Sequence, residues 1–313
     1  MSERGLAVGV DVGGTKATAA LVDASGRILD RARTPTPTRD LDAALDALVG
    51  IVRRVRPGHE PVGIGVPGLV DVDGVMRSGA NVAWVDAPIR ERMSAILGLE
   101  VAVDNDCTAG AFGEWRAGAA RGVSNVLYIG LGTGIGGGLV LGGRLYRGSH
   151  GFAGEIGHMI VEPGGERCGC GNLGCWETVA SGTAIAREGR RAVSRHPHSA
   201  LAVRAGDGEA VTGEMVTEAA ERGDPTARGI LAEVGTRLGE GIAGLVNVLD
   251  PDVVVVGGGA ARAGDHLLDP ARARFAAVIE GGPRRPLPAI VPAAMGSDSA
   301  VVGIALMALE EPA

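Results

Sequence analysis

The chain has 313 residues, of which 45% are hydrophobic, and its formal net charge is −7 at pH 7. This length allows two domains with separate cores, because domains commonly contain about 100–200 residues. The acidic balance argues against a nucleic-acid-binding protein, in which basic patches are expected. Three of the four cysteines are clustered, which does not resemble the disulfide framework of a secreted protein.

No targeting or membrane segment is predicted. Residues 1–4 are not followed by the apolar core of a signal peptide. The longest uncharged run, 122–143, approaches membrane-spanning length, but eight of residues 126–143 are glycine, which is unsuited to a lipid-exposed helix. We therefore expect a cytoplasmic protein without a membrane span.

The first third of the chain begins with two strands joined by a glycine turn. An apolar run at 6–10 leads into Asp11-Val12-Gly13-Gly14-Thr15-Lys16, and the apolar pattern resumes at 17–22. Backbone N–H groups in such a turn suit a phosphate group, and Asp11 suits a metal ion or its water shell. The apolar spacing then predicts strands and helices in alternation, with strands at 62–66 and 101–103 and helices at 40–56, 89–97 and 108–115.

Two polar positions lie at the ends of these elements. Asn81 is in a polar loop, where a ligand-binding role and an ordinary turn role are equally consistent with the sequence. Asp106 lies between a predicted strand and a predicted helix, where an aspartate is either a helix cap or a catalytic group, and capping is the more common of the two. The helix dipole favours the ionised carboxylate in both cases. Cys107 is interpreted as a small buried residue.

The strand–turn–strand pattern recurs in the middle of the chain. A strand at 125–129, a glycine-rich loop at 130–138 and a strand at 139–141 repeat the design of the N-terminus, which predicts two related halves. The spacing Gly132-x-Gly134-x-x-Gly137 also matches a dinucleotide-binding fingerprint. That fingerprint requires a following helix, whereas a strand is predicted here, so a nicotinamide-dependent oxidoreductase is disfavoured.

Residues 151–177 contain a set of candidate metal ligands. Cys168, Cys170 and Cys175 are too closely spaced for a favourable local disulfide, and His158 completes a Cys3His set, which is a common structural zinc combination. Reactive or buried free thiols are the alternative. Glu155 would form a polar pair with His158, whose orientation the metal would fix, beside a site for a polyhydroxylated ligand.

The last part of the chain is predicted to be mainly helical, with helices at 178–193, 212–222 and 225–249 and a polar connection at 195–208. An apolar strand at 251–256 precedes Gly257, Gly258 and Gly259, and such a strand end is a favoured ligand-binding edge in α/β sheets. A short strand at 289–292 and a terminal helix at 299–309 follow. We expect that helix to pack against the first lobe.

In this order, the motifs resemble those of the ROK family (repressors, open reading frames, kinases) and, within it, the bacterial glucokinases. The similar motifs extend over essentially the whole chain: Asp11-Val-Gly-Gly-Thr-Lys16, Asn105-Asp106, Gly132-Thr-Gly134, Gly154-Glu155-Ile-Gly-His158, Cys168-Gly-Cys170-Gly-x-x-Gly-Cys175-x-Glu177 and Gly257-Gly258-Gly259. The segment with Glu155, His158 and the cysteines is the most specific. Cys107 departs from the pattern, because many relatives have alanine there.

The resemblance implies an α/β fold, namely the duplicated actin-like (ribonuclease-H-like) sugar kinase fold with a cleft between two lobes. Residues 1–117 and 299–313 would form an N-terminal small lobe. Residues 118–298 would form a C-terminal large lobe that carries the zinc-binding insertion. Family members also suggest a homodimer or homotetramer.

The resemblance further implies ATP-dependent phosphorylation of the 6-hydroxyl of glucose, with Asp106 as the base, which overrides the preference for a cap. The implied sugar contacts are Asn81, Asn105, Asp106, Glu155, His158 and Glu177. The implied ATP contacts are Gly9, Asp11, Gly13, Gly14, Thr15, Lys16, Gly132, Thr133, Gly134, Gly136, Gly137, Gly138, Gly257, Gly258 and Gly259. Magnesium would accompany ATP, and structural zinc would be bound by His158, Cys168, Cys170 and Cys175.

Several alternatives stay open. The substrate could instead be N-acetylglucosamine, N-acetylmannosamine, mannose or fructose, and the donor could be polyphosphate. A non-catalytic sugar sensor is a more distant alternative. A DNA-binding repressor of the same family is disfavoured, because a first strand beginning at Leu6 leaves no room for an N-terminal helix-turn-helix domain.

Overall fold

The computed structural model describes residues 5–79, 81–206 and 211–310. The chain forms two compact units. The first comprises the described residues of 1–128, 137–154 and 293–313, and the second comprises those of 129–136 and 155–292. Compared with the predicted lobe boundaries, residues 118–128, 137–154 and 293–298 group with the first unit.

The first half of the chain is built on a five-stranded sheet. Its strands are β1 (Leu6–Val12), β2 (Lys16–Asp23), β3 (Ile28–Pro35), β4 (Val62–Val66) and β7 (Val101–Asn105), and their order in the sheet is β3-β2-β1-β4-β7. The first three strands are antiparallel, and β4 and β7 extend the sheet in parallel with β1. The short strands β5 (Leu69–Val70) and β6 (Met76–Ser78) form a separate pair. The helices are α1 (Leu41–Val55), α2 (Ile89–Leu97) and α3 (Asp106–Ala117).

A second five-stranded sheet has the same plan. Its strands are β8 (Val126–Leu131), β9 (Ile135–Leu141), β10 (Arg144–Leu145), β11 (Val253–Gly257) and β12 (Ala289–Pro292). Their order is β10-β9-β8-β11-β12, so three strands that are consecutive in the chain are again followed by two that come later. As in the first sheet, the last two strands are parallel to each other. The shared strand order confirms the prediction of two related halves.

The remaining helices lie between β10 and β11 and around β12. They are α4 (Glu177–Ala180), α5 (Gly182–Arg195), α6 (Ala200–Ala205), α7 (Gly213–Glu221), α8 (Pro225–Leu249), α9 (Asp265–Val278) and α10 (Ser299–Glu310). Within the ranges that the structure describes, no helix combines the length and the apolar character needed to cross a membrane.

Two sequence predictions in this region are corrected. The helix predicted at 178–193 is interrupted at Ser181, whose hydroxyl caps α5 by accepting from Ala184 N, and Gly182 N donates to Gly132 O at 2.9 Å. The chain turns there because a long-range hydrogen bond replaces an intrahelical one. The predicted polar connection at 195–208 contains the short helix α6, and its residues 207 and 208 lie outside the described ranges.

The terminal helix α10 packs against α3 and against strands of the first sheet, as predicted. Glycines make this close approach possible, because a Cβ atom at Gly303 would overlap Ala109 O. In the same way, a Cβ atom at Gly9 or Gly63 would overlap backbone oxygens of α10. The packing of α10 therefore depends on close contact between backbones as much as on large side chains.

A fully buried carboxylate, Glu114, joins α3 to the segment that precedes α10. Its Oε2 accepts from the backbone N–H groups of Ala119 and Ala294, at 2.8 and 2.9 Å. Its Oε1 accepts from Met295 N at 2.9 Å and from the Ser299 hydroxyl at 2.7 Å. Four donors satisfy the charge of this carboxylate in place of water, which is the condition for burying such a group at modest cost.

We expect Glu114→Gln to lower the free energy of unfolding by about 3 kcal/mol, because an amide NH2 would face backbone N–H donors that the carboxylate now satisfies. Urea denaturation followed by circular dichroism measures this loss. Glu233→Gln, on the exposed side of α8, is the matched control and should leave the midpoint unchanged. Equal midpoints for the two variants would contradict the role of Glu114.

Candidate active site and metal centre

The first glycine turn connects β1 to β2. Gly13 N donates to Lys16 O at 3.0 Å, which closes the turn, and Gly14, Thr15 and Lys16 are exposed. A Cβ atom at Gly14 would lie 2.9 Å from the Cβ atom of Asn81, so this turn is packed against the Asn81 loop. The strand–turn–strand prediction is confirmed, and two of the sequence-predicted site segments are brought together.

Asp11 lies in β1, directly before this turn. Burial of its carboxyl group, followed by the negative charges of Asp106 and Asp298, raises the pKa of Asp11 to about 7, whereas Lys16 acts in the opposite direction. Strongly shifted carboxyl groups of this kind often belong to functional sites. A cation bound nearby would favour the ionised form of Asp11.

The end of β7 and the start of α3 hold Asn105 and Asp106. The Asn105 Oδ1 atom accepts from Cys107 N at 2.8 Å and from Thr108 N at 3.0 Å, and its Nδ2 donates to Gly68 O at 3.1 Å. Asn105 is therefore the helix cap, which corrects the interpretation of Asp106 as a cap. Asp106 is the first residue of α3, where the helix dipole stabilises a negative charge.

The glycine loop predicted at 130–138 is shorter in the structure. β9 begins at Ile135, so Gly136, Gly137 and Gly138 are strand residues, and only Gly132, Thr133 and Gly134 remain in the turn. A Cβ atom at Gly138 would lie 2.5 Å from Cys107 O and 2.5 Å from the Ala111 Cβ atom, so close packing on α3 explains this glycine. A strand follows the turn, as predicted, which argues against a dinucleotide site.

Cys107 itself is partly exposed rather than buried, in contrast to its sequence interpretation. Its backbone N–H donates both to the Asn105 side chain and to Asp106 Oδ1, the latter at 2.8 Å. The first turn of α3 is thus organised by side-chain acceptors on the two residues that precede Cys107.

The second glycine turn has its own set of contacts. Gly132 N donates to Gly134 O at 3.0 Å, and Thr133 O accepts from the Thr183 hydroxyl at 2.7 Å. β11 ends at Gly257, and Gly258 has a φ of 88°, with its Cα so near Leu131 that a Cβ atom would lie 2.6 Å from Leu131 O. The end of β11 therefore abuts the end of β8, where the second turn begins. Gly259 follows with open space around it.

The four predicted metal ligands are brought together. One ligand atom from each of His158, Cys168, Cys170 and Cys175 lies within 4.8 Å of every other. The Sγ atoms of Cys170 and Cys175 are 3.7 Å apart, and Cys168 Sγ is 3.6 Å from His158 Nδ1. With Zn–S bonds of about 2.3 Å, the edge of a regular tetrahedron is about 3.8 Å. The donor set and its spacing could hold a metal ion and fit tetrahedral zinc.

Two carboxylates flank His158. Its Nε2 atom is 3.7 Å from Glu155 Oε2, and its Nδ1 atom is 3.7 Å from Glu177 Oε1. Desolvation raises the pKa of Glu155, the charge of His158 acts in the opposite direction, and Glu177 raises it further. His158 thus presents one ring nitrogen to the thiol cluster and the other to Glu155, which is the arrangement predicted for a metal-oriented polar pair.

Glu177, at the start of α4, connects the cluster to the second glycine turn. Its Oε1 atom accepts from the Cys168 thiol at 2.9 Å, and its Oε2 atom accepts from Ile135 N at 3.3 Å. A Cβ atom at Gly134 would overlap Glu177 Oε2, so this glycine makes room for the carboxylate. A sugar contact was predicted for Glu177, but its link to the glycine turn was not, because residues 42 positions apart give no sequence signal.

An ion pair beside Asn105 was also missed. Arg147 Nε donates to Asp104 Oδ2 at 2.6 Å, and Asp104 is buried. The partners are 43 positions apart, and Arg147 lies in a polar stretch without periodicity, so only the folded chain reveals the pair.

We expect Gly138→Ala to lower the free energy of unfolding by about 2 kcal/mol, because the added methyl group must displace the backbone of Cys107 or the side chain of Ala111. Thermal denaturation measures the change. Gly50→Ala adds the same methyl group on an exposed face of α1, where nothing lies within 4 Å, and serves as the control. A Gly138→Ala variant as stable as Gly50→Ala would show that α3 does not require this close contact.

Comparisons with known proteins agree with this architecture. The ROK family model matches residues 7–311. Glucokinase from Streptomyces coelicolor is 39% identical over 312 residues, with 98% of each chain covered, and glucokinase from Halalkalibacterium halodurans is 38% identical over 311 residues, with 95% and 92% covered. The crystal structure of a ROK family glucokinase from Streptomyces griseus, in complex with glucose and AMPPNP, superposes with a TM-score of 0.91 at 39% identity, covering 96% of this chain and 98% of its own. The fold is the predicted duplicated actin-like α/β fold, and the chain belongs to the ROK family.

Proposed function

We propose that this protein is a glucokinase, which transfers the γ-phosphoryl group of ATP to the 6-hydroxyl of glucose. The observation that carries the proposal is its whole-chain similarity to the Streptomyces griseus glucokinase, which was solved with glucose and AMPPNP. The local geometry is consistent with it. A carboxylate lies at a helix N-terminus, and two glycine turns each join a pair of neighbouring strands.

Asp106 is the proposed base. The glucose 6-hydroxyl oxygen attacks the γ-phosphorus, its proton passes to the Asp106 carboxylate, and the bond from the γ-phosphorus to the leaving oxygen of ADP breaks. Since phosphoryl transfer depends mainly on positioning and on charge stabilisation, the fixed start of α3 is the relevant feature. The double hydrogen bond to Asn105 Oδ1 fixes it.

The sugar hydroxyls are assigned to Asn81, Asn105, Glu155, His158 and Glu177, together with Asp106. Asn105 donates one amide N–H to Gly68 O and retains the other for a ligand. The raised pKa of Glu155 suits a carboxyl group that exchanges hydrogen bonds with hydroxyls. Asn105 donates to Gly68 O and Glu177 accepts from Ile135 N, so both side chains are positioned before a sugar binds, which limits the entropy lost on binding.

The phosphate groups of ATP are assigned to the two glycine turns, at Gly13–Lys16 and Gly132–Gly134, and Gly257–Gly259 to the nucleoside side. Backbone N–H groups in such turns bind anions without a side-chain charge. Burial and neighbouring carboxylates disfavour the ionised form of Asp11. A magnesium ion accompanying ATP would stabilise that ionised form. Magnesium would neutralise phosphate charge. Gly9, Gly136, Gly137 and Gly138 complete the assigned set, although packing already accounts for Gly9 and Gly138.

The Cys3His cluster is proposed to hold structural zinc. Burial and the hydrogen bond to Glu177 raise the pKa of the Cys168 thiol, and a bound zinc ion would stabilise its thiolate. With zinc at Nδ1, the neutral His158 ring keeps Nε2–H as a donor toward Glu155 and the sugar. The ion would thereby orient sugar-binding groups without entering the phosphoryl transfer.

We expect Asp106→Asn to lower kcat by 10²–10⁴-fold, because an amide cannot accept the hydroxyl proton, while the dissociation constant for glucose changes little. A coupled assay for ADP measures kcat, and isothermal titration calorimetry measures glucose binding. Asp46→Asn, on the exposed side of α1, is the control. Equal losses of binding and turnover would contradict the role of Asp106 as a base.

The same assay with a panel of hexoses and donors tests the substrate. We expect glucose with ATP to give the highest kcat/KM, above N-acetylglucosamine, N-acetylmannosamine, mannose and fructose, and above polyphosphate as the donor. Higher kcat/KM with another sugar would reassign the substrate within the kinase class. No turnover on any sugar would favour a non-catalytic sensor.

We expect one zinc ion per chain in the purified protein, and loss of most of this zinc in Cys170→Ser, because the serine hydroxyl is not a thiolate ligand. Plasma mass spectrometry measures the metal content. The control variant Cys107→Ser carries the same substitution outside the cluster and should retain its zinc. Fully active protein without zinc, with its thiols free to react with a thiol reagent, would contradict the proposed site.

A further inference from the structure

The C-terminal end of the strand β7 contains an acidic residue that the proposed chemistry does not use. Asp104 is 7% exposed and immediately precedes Asn105 and Asp106. Its Oδ1 atom accepts from Asn105 N at 2.8 Å, and its Oδ2 atom accepts from Arg147 Nε at 2.6 Å. The carboxylate therefore holds the backbone N–H of the residue that caps α3, and Arg147 holds the carboxylate.

Arg147 lies in a loop, residues 146–154, that is itself folded against the first unit. Its carbonyl oxygen accepts from Ala153 N at 3.0 Å, which closes the loop. Gly151, with a φ of 93°, is seated on the β5 end, where a Cβ atom would overlap Val70 O and lie 2.9 Å from Asp71 Cα. The loop leads directly into Glu155, which is one proposed sugar contact. Arg147 therefore contacts the strand β7, which ends at the proposed sugar contact Asn105, from the loop that precedes Glu155.

The energetics favour a rigid pair. The Asp104 side chain is 10% exposed and that of Arg147 is 33% exposed, so solvent screens their attraction less than at an open surface. Removing Arg147 takes the cation away from a largely buried carboxylate, which is more disruptive than the loss of an exposed ion pair.

We propose that Asp104 and Arg147 are positioning residues for phosphoryl transfer, which hold the Asn105–Asp106 end of β7 and the 146–154 loop in one fixed arrangement. This proposal rests on the proposed assignment of Asp106 and Asn105 to the sugar. Neither Asp104 nor Arg147 is required to touch the reacting atoms. Their effect is transmitted through the Asn105 backbone and the first turn of α3.

A cavity of about 290 Å³ makes the proposal testable by chemical rescue. Its lining includes Asp104, Arg147, Arg90 and Met307. Truncation of Arg147 would add to this space, so a small guanidinium compound could enter and pair with Asp104. Arg90 lines the same cavity but donates to Val72 O, at 3.0 Å, and provides a matched truncation.

In Arg147→Ala, we expect kcat/KM for glucose to fall about 10–100-fold, because a displacement of about 1 Å of catalytic groups has an effect of this size. The KM for ATP should change little. Methylguanidinium at millimolar concentrations should restore part of the lost activity in Arg147→Ala and not in Arg90→Ala. Arg147→Lys should be intermediate, since it keeps the charge but not the planar donor group.

A double-mutant cycle separates positioning from general destabilisation. Asp104→Asn and Arg147→Ala should each lower kcat/KM, and the double variant should lose far less than the product of the two effects, because both remove the same interaction. If Arg147→Ala does not fold, as judged by circular dichroism, Arg147→Lys with Asp104→Asn completes the comparison.

Two results would overturn different claims. Variants with wild-type kcat and KM, altered only in melting temperature, would show that the pair is purely structural and would overturn the positioning role. Absence of sugar phosphorylation by the wild-type protein would instead overturn the proposed function. Because the wild type is measured first, the two failures are distinguishable.

Discussion

The position of α3 is the constraint on which the first unit depends. The helix starts at the carboxyl end of β7, so any shift of its axis moves Asp106. Its N-terminus is fixed by Asn105, and its far end by the buried Glu114 carboxylate. Glycine contacts with α10 and with Gly138 fix its sides. Each of these interactions includes a backbone group, and the Ser299 hydroxyl adds one side-chain donor to Glu114.

The abundance of glycine, 53 of 313 residues, has two separate causes. At Gly13, Gly14, Gly132 and Gly134, glycine lies in the tight turns that join consecutive strands. At Gly9, Gly63, Gly138 and Gly303, the chain instead brings two backbones together, and a Cβ atom would collide with a carbonyl oxygen or lie within 2.5 Å of one. The high glycine content therefore reflects close backbone packing in the interior as well as turns.

The Cys3His cluster and its carboxylate neighbours are connected through His158 and Glu177. His158 presents opposite ring nitrogens to the thiols and to Glu155, while Glu177 lies between Cys168 and the second glycine turn. The cluster is thus an organising element of the second unit rather than an isolated appendage.

The local pattern of the sequence was sufficient to predict most elements and the convergence of the four candidate metal ligands. Apolar periodicity predicted α2, α8, β4 and β12 with the bounds that the structure shows, because these segments carry unbroken spacing and clear turn residues at their ends. The spacing of the three cysteines and His158 predicted their convergence, since few other arrangements suit such closely spaced thiols. The resemblance to the ROK family added the roles of Asp106 and the glycine turns.

Long-range contacts were decided only when the chain folded. In the structure, Asn105 rather than Asp106 caps α3. The helix predicted at 178–193 is interrupted at Ser181, and Gly136–Gly138 are part of β9. Each outcome depends on a partner distant in the chain or on a choice between neighbouring acceptors, neither of which residue spacing encodes. The Asp104–Arg147 pair and the Glu114 network belong to the same class, because a buried charge acquires its partners from whatever the completed fold places around it.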